Sequence, residues 1–161
     1  MKQTKDKSPH LLQVMIIVAA IFGLGSVIYL PQLMHNTPPQ TRILQSTPGC
    51  ELTQTFCKAS DSTGAIRLKI NTPTISSAKP LEFEVKLQDI AADQVMLDLK
   101  GRDMFMGLNQ VMLKKVAGEQ DLWRGEVTLG VCTTGTMTWI TSVVTEHKGE
   151  RTQADFFFDA K

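Results

Sequence analysis

Leu81-Glu82-Phe83-Glu84-Val85-Lys86-Leu87-Gln88 decides the fold class. Apolar side chains sit at 81, 83, 85 and 87, and polar ones fill the positions between. Successive side chains of an extended chain point to opposite faces, so the stretch predicts a half-buried strand. The same rhythm continues on both sides. At 65–71, Ile66, Leu68 and Ile70 alternate with Arg67 and Lys69, and at 94–100, Val95, Leu97 and Leu99 oppose Met96 and Asp98. Further strands are predicted at 108–116, 122–130, 136–146 and 151–159. There Trp123, Val127 and Leu129 share one parity, as do Met137, Trp139, Thr141 and Val143, and Phe156 with Phe158 opposes Phe157. Turn chemistry separates them at Ala117-Gly118-Glu119, Thr133-Thr134-Gly135 and His147-Lys148-Gly149. Seven short strands without a sustained helical stripe predict a mostly β domain over residues 50–161: an antiparallel, immunoglobulin-like β-sandwich. Glu82 and Glu84 are expected in solvent, and Lys114-Lys115 on a solvated strand face.

The N-terminal third reads differently. Residues 11–30 carry no charge, and Gln13 and Ser26 are their clearly polar members. A helix of that length rises roughly 30 Å, the thickness of a hydrocarbon core, so one N-terminal transmembrane helix is expected. Lys2, Lys5 and Lys7 precede it against Asp6 alone. Positive charge stays on the cytoplasmic side, which assigns residues 1–10 to the cytoplasm and the rest to the periplasmic side of a bacterial inner membrane. A cleaved signal peptide shares the basic start, and Gly23, Gly25 and Ser26 imitate a processing site. Val27-Ile28-Tyr29-Leu30 nevertheless continue the apolar run, Tyr29 suits the interface, and Pro31 is expected to stop the helix. Residues 31–49, with Pro31, Pro38, Pro39 and Pro48, read as an extended linker.

Charge narrows the function classes. Residues 1–49 hold four basic groups against Asp6, a net of +3, and residues 50–161 hold thirteen basic and fifteen acidic groups, a net of −2. A slightly acidic domain with mixed signs has no footprint for nucleic acid.

All three cysteines, Cys50, Cys57 and Cys132, follow the apolar stretch, where disulfides form. Cys50 and Cys57 on one continuous strand would stand about 23 Å apart, so a bond between them requires 51–56 to fold back. Proximity favours Cys50–Cys57; Cys57–Cys132 is the alternative, and the remaining cysteine reads as a small buried apolar residue. The histidines are His10, His35 and His147, and His147 alone belongs to the β domain. A zinc or nucleophilic hydrolase site therefore lacks its parts, as does a Cys-x-x-Cys redox centre, and no enzyme is expected.

Sulfur is the conspicuous chemistry. Met96, Met104, Met106, Met112 and Met137 lie in the β domain. Met104-Phe105-Met106, bracketed by Gly101 and Gly107, puts two thioethers on one face if the backbone is extended. Thioether and thiolate donors select Cu(I), and Met137 or Cys132 from a neighbouring strand would complete a three-donor site. Methionine also fills irregular core gaps, the reading expected for Met96 and Met112.

The run Gly101-Arg102-Asp103-Met104-Phe105-Met106-Gly107-Leu108-Asn109, with Leu129-Gly130-Val131-Cys132 and Met137-Thr138-Trp139, resembles small anchored proteobacterial proteins of the FixH and YtkA-like kind. The resemblance implies one transmembrane helix, an immunoglobulin-like extracytoplasmic domain, and a link to copper handling or assembly of respiratory haem–copper oxidases. Its distinctive element carries over to Met104, Met106, Gly107 and Asn109. The sequence departs from it by lacking a His-plus-Met constellation and a second membrane segment. Three readings follow: a membrane-tethered copper or oxidase-assembly factor using Met104, Met106, Met137 and Cys132; a non-catalytic module docking onto a membrane complex; and a thiol–disulfide participant pairing Cys132 with Cys57.

Overall fold

The computed structural model describes residues 9–35, 41–76, 79–130 and 135–161, with side chains of the first segment at 13–27 and 29. It divides into two compact units, Met1–Pro38 and Pro39–Lys161.

The described residues of the first unit form one helix, α1, Pro9–His35. It passes through Pro31, where the sequence suggested a stop. Proline's fixed φ is compatible with a helix, so the ring forfeits a hydrogen bond without forcing the chain to end there. The described side chains are apolar on all sides of the helix and, apart from Gly25 and Ser26, exposed. Ser26 Oγ donates back to Phe22 O at 2.8 Å, satisfying its hydroxyl within the helix. Among the described residues no helix is long and apolar enough to cross a membrane.

The second unit is mostly β, with ten strands among the described residues: β1 Thr41–Ser46, β2 Cys57–Ser60, β3 Ala65–Ile70, β4 Pro80–Gln88, β5 Gln94–Gly101, β6 Gln110–Met112, β7 Lys114–Lys115, β8 Leu122–Thr128, β9 Met137–His147 and β10 Glu150–Ala160. Their order is β6-β5-β9-β10-β1-β2-β3-β4-β8-β7. The terminal strands β6 and β7 are separated in the chain by Leu113 alone, whose N–H donates to Val95 O at 2.8 Å. The two ends of the ladder thus meet in one crossing segment, and the sheet is a near-barrel.

Two features differ from the all-antiparallel sandwich expected. The segment assigned to a linker contains β1, because Leu44 is buried in the core and Arg42 forks onto Asp61 at 2.6 and 2.9 Å. β1 pairs parallel with β10 from Thr41↔Arg151 to Leu44↔Ala154, then antiparallel with β2 at Gln45 and Ser46. Parallel pairing joins segments distant in sequence, so no local turn announces it.

Alternation does build the core. Leu81, Phe83, Val85 and Leu87 point inward from β4, facing Ile66, Leu68 and Ile70 of β3 on one side and Trp123 and Val127 of β8 on the other. Across the interior stand Val95, Leu97, Leu99, Trp139, Val143, Phe156 and Phe158, and Phe83 meets Phe158 with ring centroids 6.2 Å apart. The outward row corrects one expectation: Glu84 is buried, because register sets Lys69 on one side of it and Arg124 on the other, and Arg124 Nη2 grips its carboxylate. Lys114 and Lys115 are exposed, and Lys115 Nζ lies 5.9 Å from the Trp123 ring centre. The β9–β10 hairpin turns through Lys148 and Gly149, both at positive φ.

Candidate functional site

Strand register separates the barrel ends. Thr41, where the chain enters, lies beside Arg151 and the β9–β10 turn. The other end collects the described segments that follow β1, β3, β5 and β8: 47–56, 71–76, 102–109 and 129–130. Of the sequence-predicted site residues, Cys50, Cys57, Met104, Met106 and Met137 belong to this second end.

Cys50 and Cys57 are bonded, with Cα atoms 5.7 Å apart. The fold-back that makes this possible is a turn through 51–55, where Gln54 and Thr55 N–H groups both donate to Glu51 O. Leu52 points from this loop into the core, and its carbonyl accepts from Ile70 N at 2.8 Å, tying the loop to β3. With Cys57 committed to Cys50, a Cys57–Cys132 bond is excluded in this structure. Cys132 itself lies outside the described residues.

The methionine loop leaves β5 at Gly101. Arg102 N donates to Thr138 O, and Asn109 O accepts from Leu99 N, so the loop is stitched at both feet. Asn109 Nδ2 also reaches Thr128 O at 3.3 Å on the opposite side of the barrel. Between the feet the chain is not extended. The Met104 carbonyl folds back over Gly101, and Gly107 turns at φ +82°, a conformation glycine adopts without strain. Met104 and Met106 consequently part company. Met104 is 52% exposed at the rim, whereas Met106 packs against the core.

Met106 and Met137 both approach Gly101. A Cβ placed on Gly101 would lie 3.1 Å from Met137 Sδ and 3.2 Å from Met106 Cγ, so both side chains occupy the space that the missing Cβ leaves. The Met106 methyl extends over Gly130, 3.3 Å from the point where a Cβ would stand. Met137 is buried at 6% exposure. The Met106 and Met137 side chains therefore converge on Gly101, and Met104 and Met106 help line a depression of about 270 Å³ formed by residues 100–107. The donors present are soft, and no group of three or more His, Cys, Asp or Glu accompanies them among the described residues. That donor set suits Cu(I) better than a hard ion.

The same loop exposes Phe105 at 82% and Leu108 at 83%. Such apolar side chains on one short loop are an unusual surface for water to cover. Met96 and Met112, expected in the core, face outward instead as direct cross-strand partners, and Met112 is half exposed. Their parity opposite Leu97 already carried that signal. His147 sits at the far end of the barrel with Nδ1 3.1 Å from Asp93 Oδ2, remote from every methionine of the loop.

No protein-family model matches the chain, and no curated protein matches it either. Among solved structures it is similar to the crystal structure of a DUF4785 family protein from Legionella pneumophila, with a TM-score of 0.40 and 15% identity over 61% of this chain. The chain spans 28% of that protein's length.

Proposed function

We propose that this chain is a non-catalytic, membrane-tethered accessory protein of the FixH/YtkA-like kind, whose periplasmic barrel handles Cu(I) at its methionine end. The observation that carries the reading is the convergence of Met106 and Met137 over Gly101, with Met104 at the rim. A helix apolar on all sides is matched to lipid or to a protein core, and α1 shows exposed apolar side chains all round, which supports the anchor. Its 27 residues rise about 40 Å, more than a hydrocarbon core requires. The described side chains cover part of that length; over the sequence 11–30 no charge interrupts it.

The test is Cu(I) titration of the full chain in detergent against a competing chelator, beside Met106→Leu/Met137→Leu. Leucine keeps bulk and apolarity and removes sulfur. Binding weakened by about tenfold or more, a loss near 1.4 kcal/mol, supports the copper reading. Absence of binding in the unaltered chain removes it.

A second reading has its own observation. Phe105 and Leu108 offer an apolar contact to a membrane complex, as a docking module needs. Phe105→Ser/Leu108→Ser that abolishes co-purification with a partner complex, with Cu(I) affinity unchanged, would favour docking over copper.

A further inference from the structure

β10 has one fully paired edge and one that is only begun. Toward β9 it is paired from Glu150↔His147 to Ala160↔Met137. Toward β1 the ladder runs from Arg151 to Ala154 and stops, because β1 turns away to β2 at Gln45 and Ser46. From 155 onward no strand pairs with that edge among the described residues.

Which main-chain groups face the gap follows from hydrogen bonds on the far side of β9. Thr138 O accepts from Arg102 N and Glu146 O from Asp93 N, each at 2.9 Å. Thr138 and Glu146 therefore aim their main-chain groups away from β10, and their partners Asp159 and Arg151 aim theirs away from β9. The period of two extends this to Asp155 and Phe157. The N–H and C=O groups of Asp155, Phe157 and Asp159 all point at the unpaired edge.

There is room beside it. Cavities of about 200 and 380 Å³ separate 156–159 from the loop at 46–53, with Leu52 and Ile75 supplying apolar walls. The Cys50–Cys57 bond and the Ile70 N–Leu52 O hydrogen bond hold that loop in place.

The side chains say what fits. Phe156 and Phe158 face the core, so Asp155, Phe157 and Asp159 face outward, and Phe157 is half exposed. Gln153 Nε2 donates to Asp155 Oδ1 at 2.9 Å and Thr138 Oγ1 to Asp159 Oδ1 at 2.6 Å, fixing a carboxylate on each side of the ring. No ion pair gives either aspartate a cation among the described residues. A second copy is the wrong partner: antiparallel pairing of two such edges about Phe157 sets Asp155 opposite Asp159 twice, and like charges directly opposed destabilise a sheet.

We propose that the 155–159 edge accepts an extended segment of another protein by strand addition, with an apolar residue against Phe157 and a Lys or Arg two residues to either side, against Asp155 and Asp159. Main-chain hydrogen bonds supply affinity, and the alternate side chains supply selectivity.

The probe is a fluorescein-labelled heptapeptide, Thr-Lys-Thr-Val-Thr-Lys-Thr, titrated by anisotropy against the full chain in detergent at low salt. Its counterparts carry Glu for Lys, or N-methyl groups on alternate backbone amides. Saturable binding is expected, about three- to tenfold tighter for the Lys peptide than for the Glu peptide, and lost on N-methylation. Asp155→Lys/Asp159→Lys should reverse the preference. Equal affinity for both peptides, indifference to N-methylation, or self-association of the unaltered chain through this edge overturns the proposal. The peptide arms need no altered protein, so a variant that fails to fold leaves the test intact.

Discussion

Leu113 lies directly over Gly125: a Cβ at that glycine would meet Leu113 Cδ2 at 2.5 Å. Leu113 is the residue at which the chain crosses from β6 on one end of the ladder to β7 on the other, and it is buried there. Gly125, paired with Phe83 across β8 and β4, leaves the hollow that accepts it. Closure of the barrel thus rests on one large residue fitting against one absent side chain. Gly125→Ala should destabilise the domain by about 1–3 kcal/mol through overpacking. Leu113→Ala should cost about 2–5 kcal/mol through the cavity it opens. In the double variant the new methyl occupies space the leucine has left, so its loss should be smaller than the two singles added. Urea unfolding of the four proteins measures this, and strict additivity would show that the two positions do not touch.

The Asp61 carboxyl is held down to about 2, first by the Thr63 backbone N–H and further by the Thr63 hydroxyl, Arg42 and the Gly64 N–H. A carboxylate whose folded pKa lies below its unfolded value stabilises the fold above the unfolded pKa. That contribution is lost as pH falls toward the folded value. The window therefore runs from about pH 4 down to about pH 2. Asp61→Asn should flatten the fall of the urea midpoint across that window and leave its shape at pH 6–8 unchanged. An identical acid limb in both proteins would contradict the assignment.

Glu84 and Arg124 make the opposite kind of pair, a buried carboxylate under a half-exposed guanidinium. Arg124→Ala leaves that charge with poor solvation, although Lys69 stands opposite it in the β3 register. A cost of about 1–3 kcal/mol is expected, as for a hydrogen bond to a charged group. Glu84→Gln/Arg124→Ala should recover part of it, because the buried group is then neutral. Thermal unfolding at pH 7 separates the three proteins.

These cases also show what the residues disclosed before the structure. β4 was legible because both its faces have a clear character, and β9 and β10 because their parity holds over many residues. The Cys50–Cys57 bond followed from proximity together with a segment short enough to fold back. β1 was hidden by its setting: it has one fully buried side chain, Leu44, and its partner β10 lies more than a hundred residues away. Glu84 looked exposed because alternation fixes which face a residue occupies, but not how far long side chains on neighbouring strands cover it. The methionine loop misled for a related reason. Parity arguments assume an extended chain, and the bare Gly101 lets the backbone fold over itself instead.

The loop at 50–57 should be a measurable stability element. In the chain-entropy view a closed loop of this size contributes about 2.5 kcal/mol. Cys50→Ala/Cys57→Ala is expected to lose an amount of that order, and dithiothreitol should have the same effect on the unaltered chain and none on the variant. Because Leu52 and the Ile70 N–H depend on this loop, hydrogen exchange at Ile70 should accelerate on reduction. Unchanged exchange there would mean that the loop keeps its place without the bond.

The methionine end separates packing from ligation by two readouts that should not move together. Met104 is half exposed, so Met104→Leu should change stability by less than about 0.5 kcal/mol. Met106 and Met137 fill the space over Gly101, and their leucine variants should each cost less than about 1.5 kcal/mol, since volume is nearly kept while the thioether's flexibility is lost. Gly101→Ala attacks the same place from below. Its methyl would press on the Met104 carbonyl, backbone that cannot swing aside as a side chain end can, so it should cost more than either leucine variant. If the two thioethers serve only as packing, Cu(I) affinity will be absent throughout while these stabilities still differ in that order. If they are ligands, affinity should fall with Met106→Leu and Met137→Leu although stability barely changes. Gly101→Ala should then lower affinity and stability together, because it displaces both sulfur side chains without removing either sulfur.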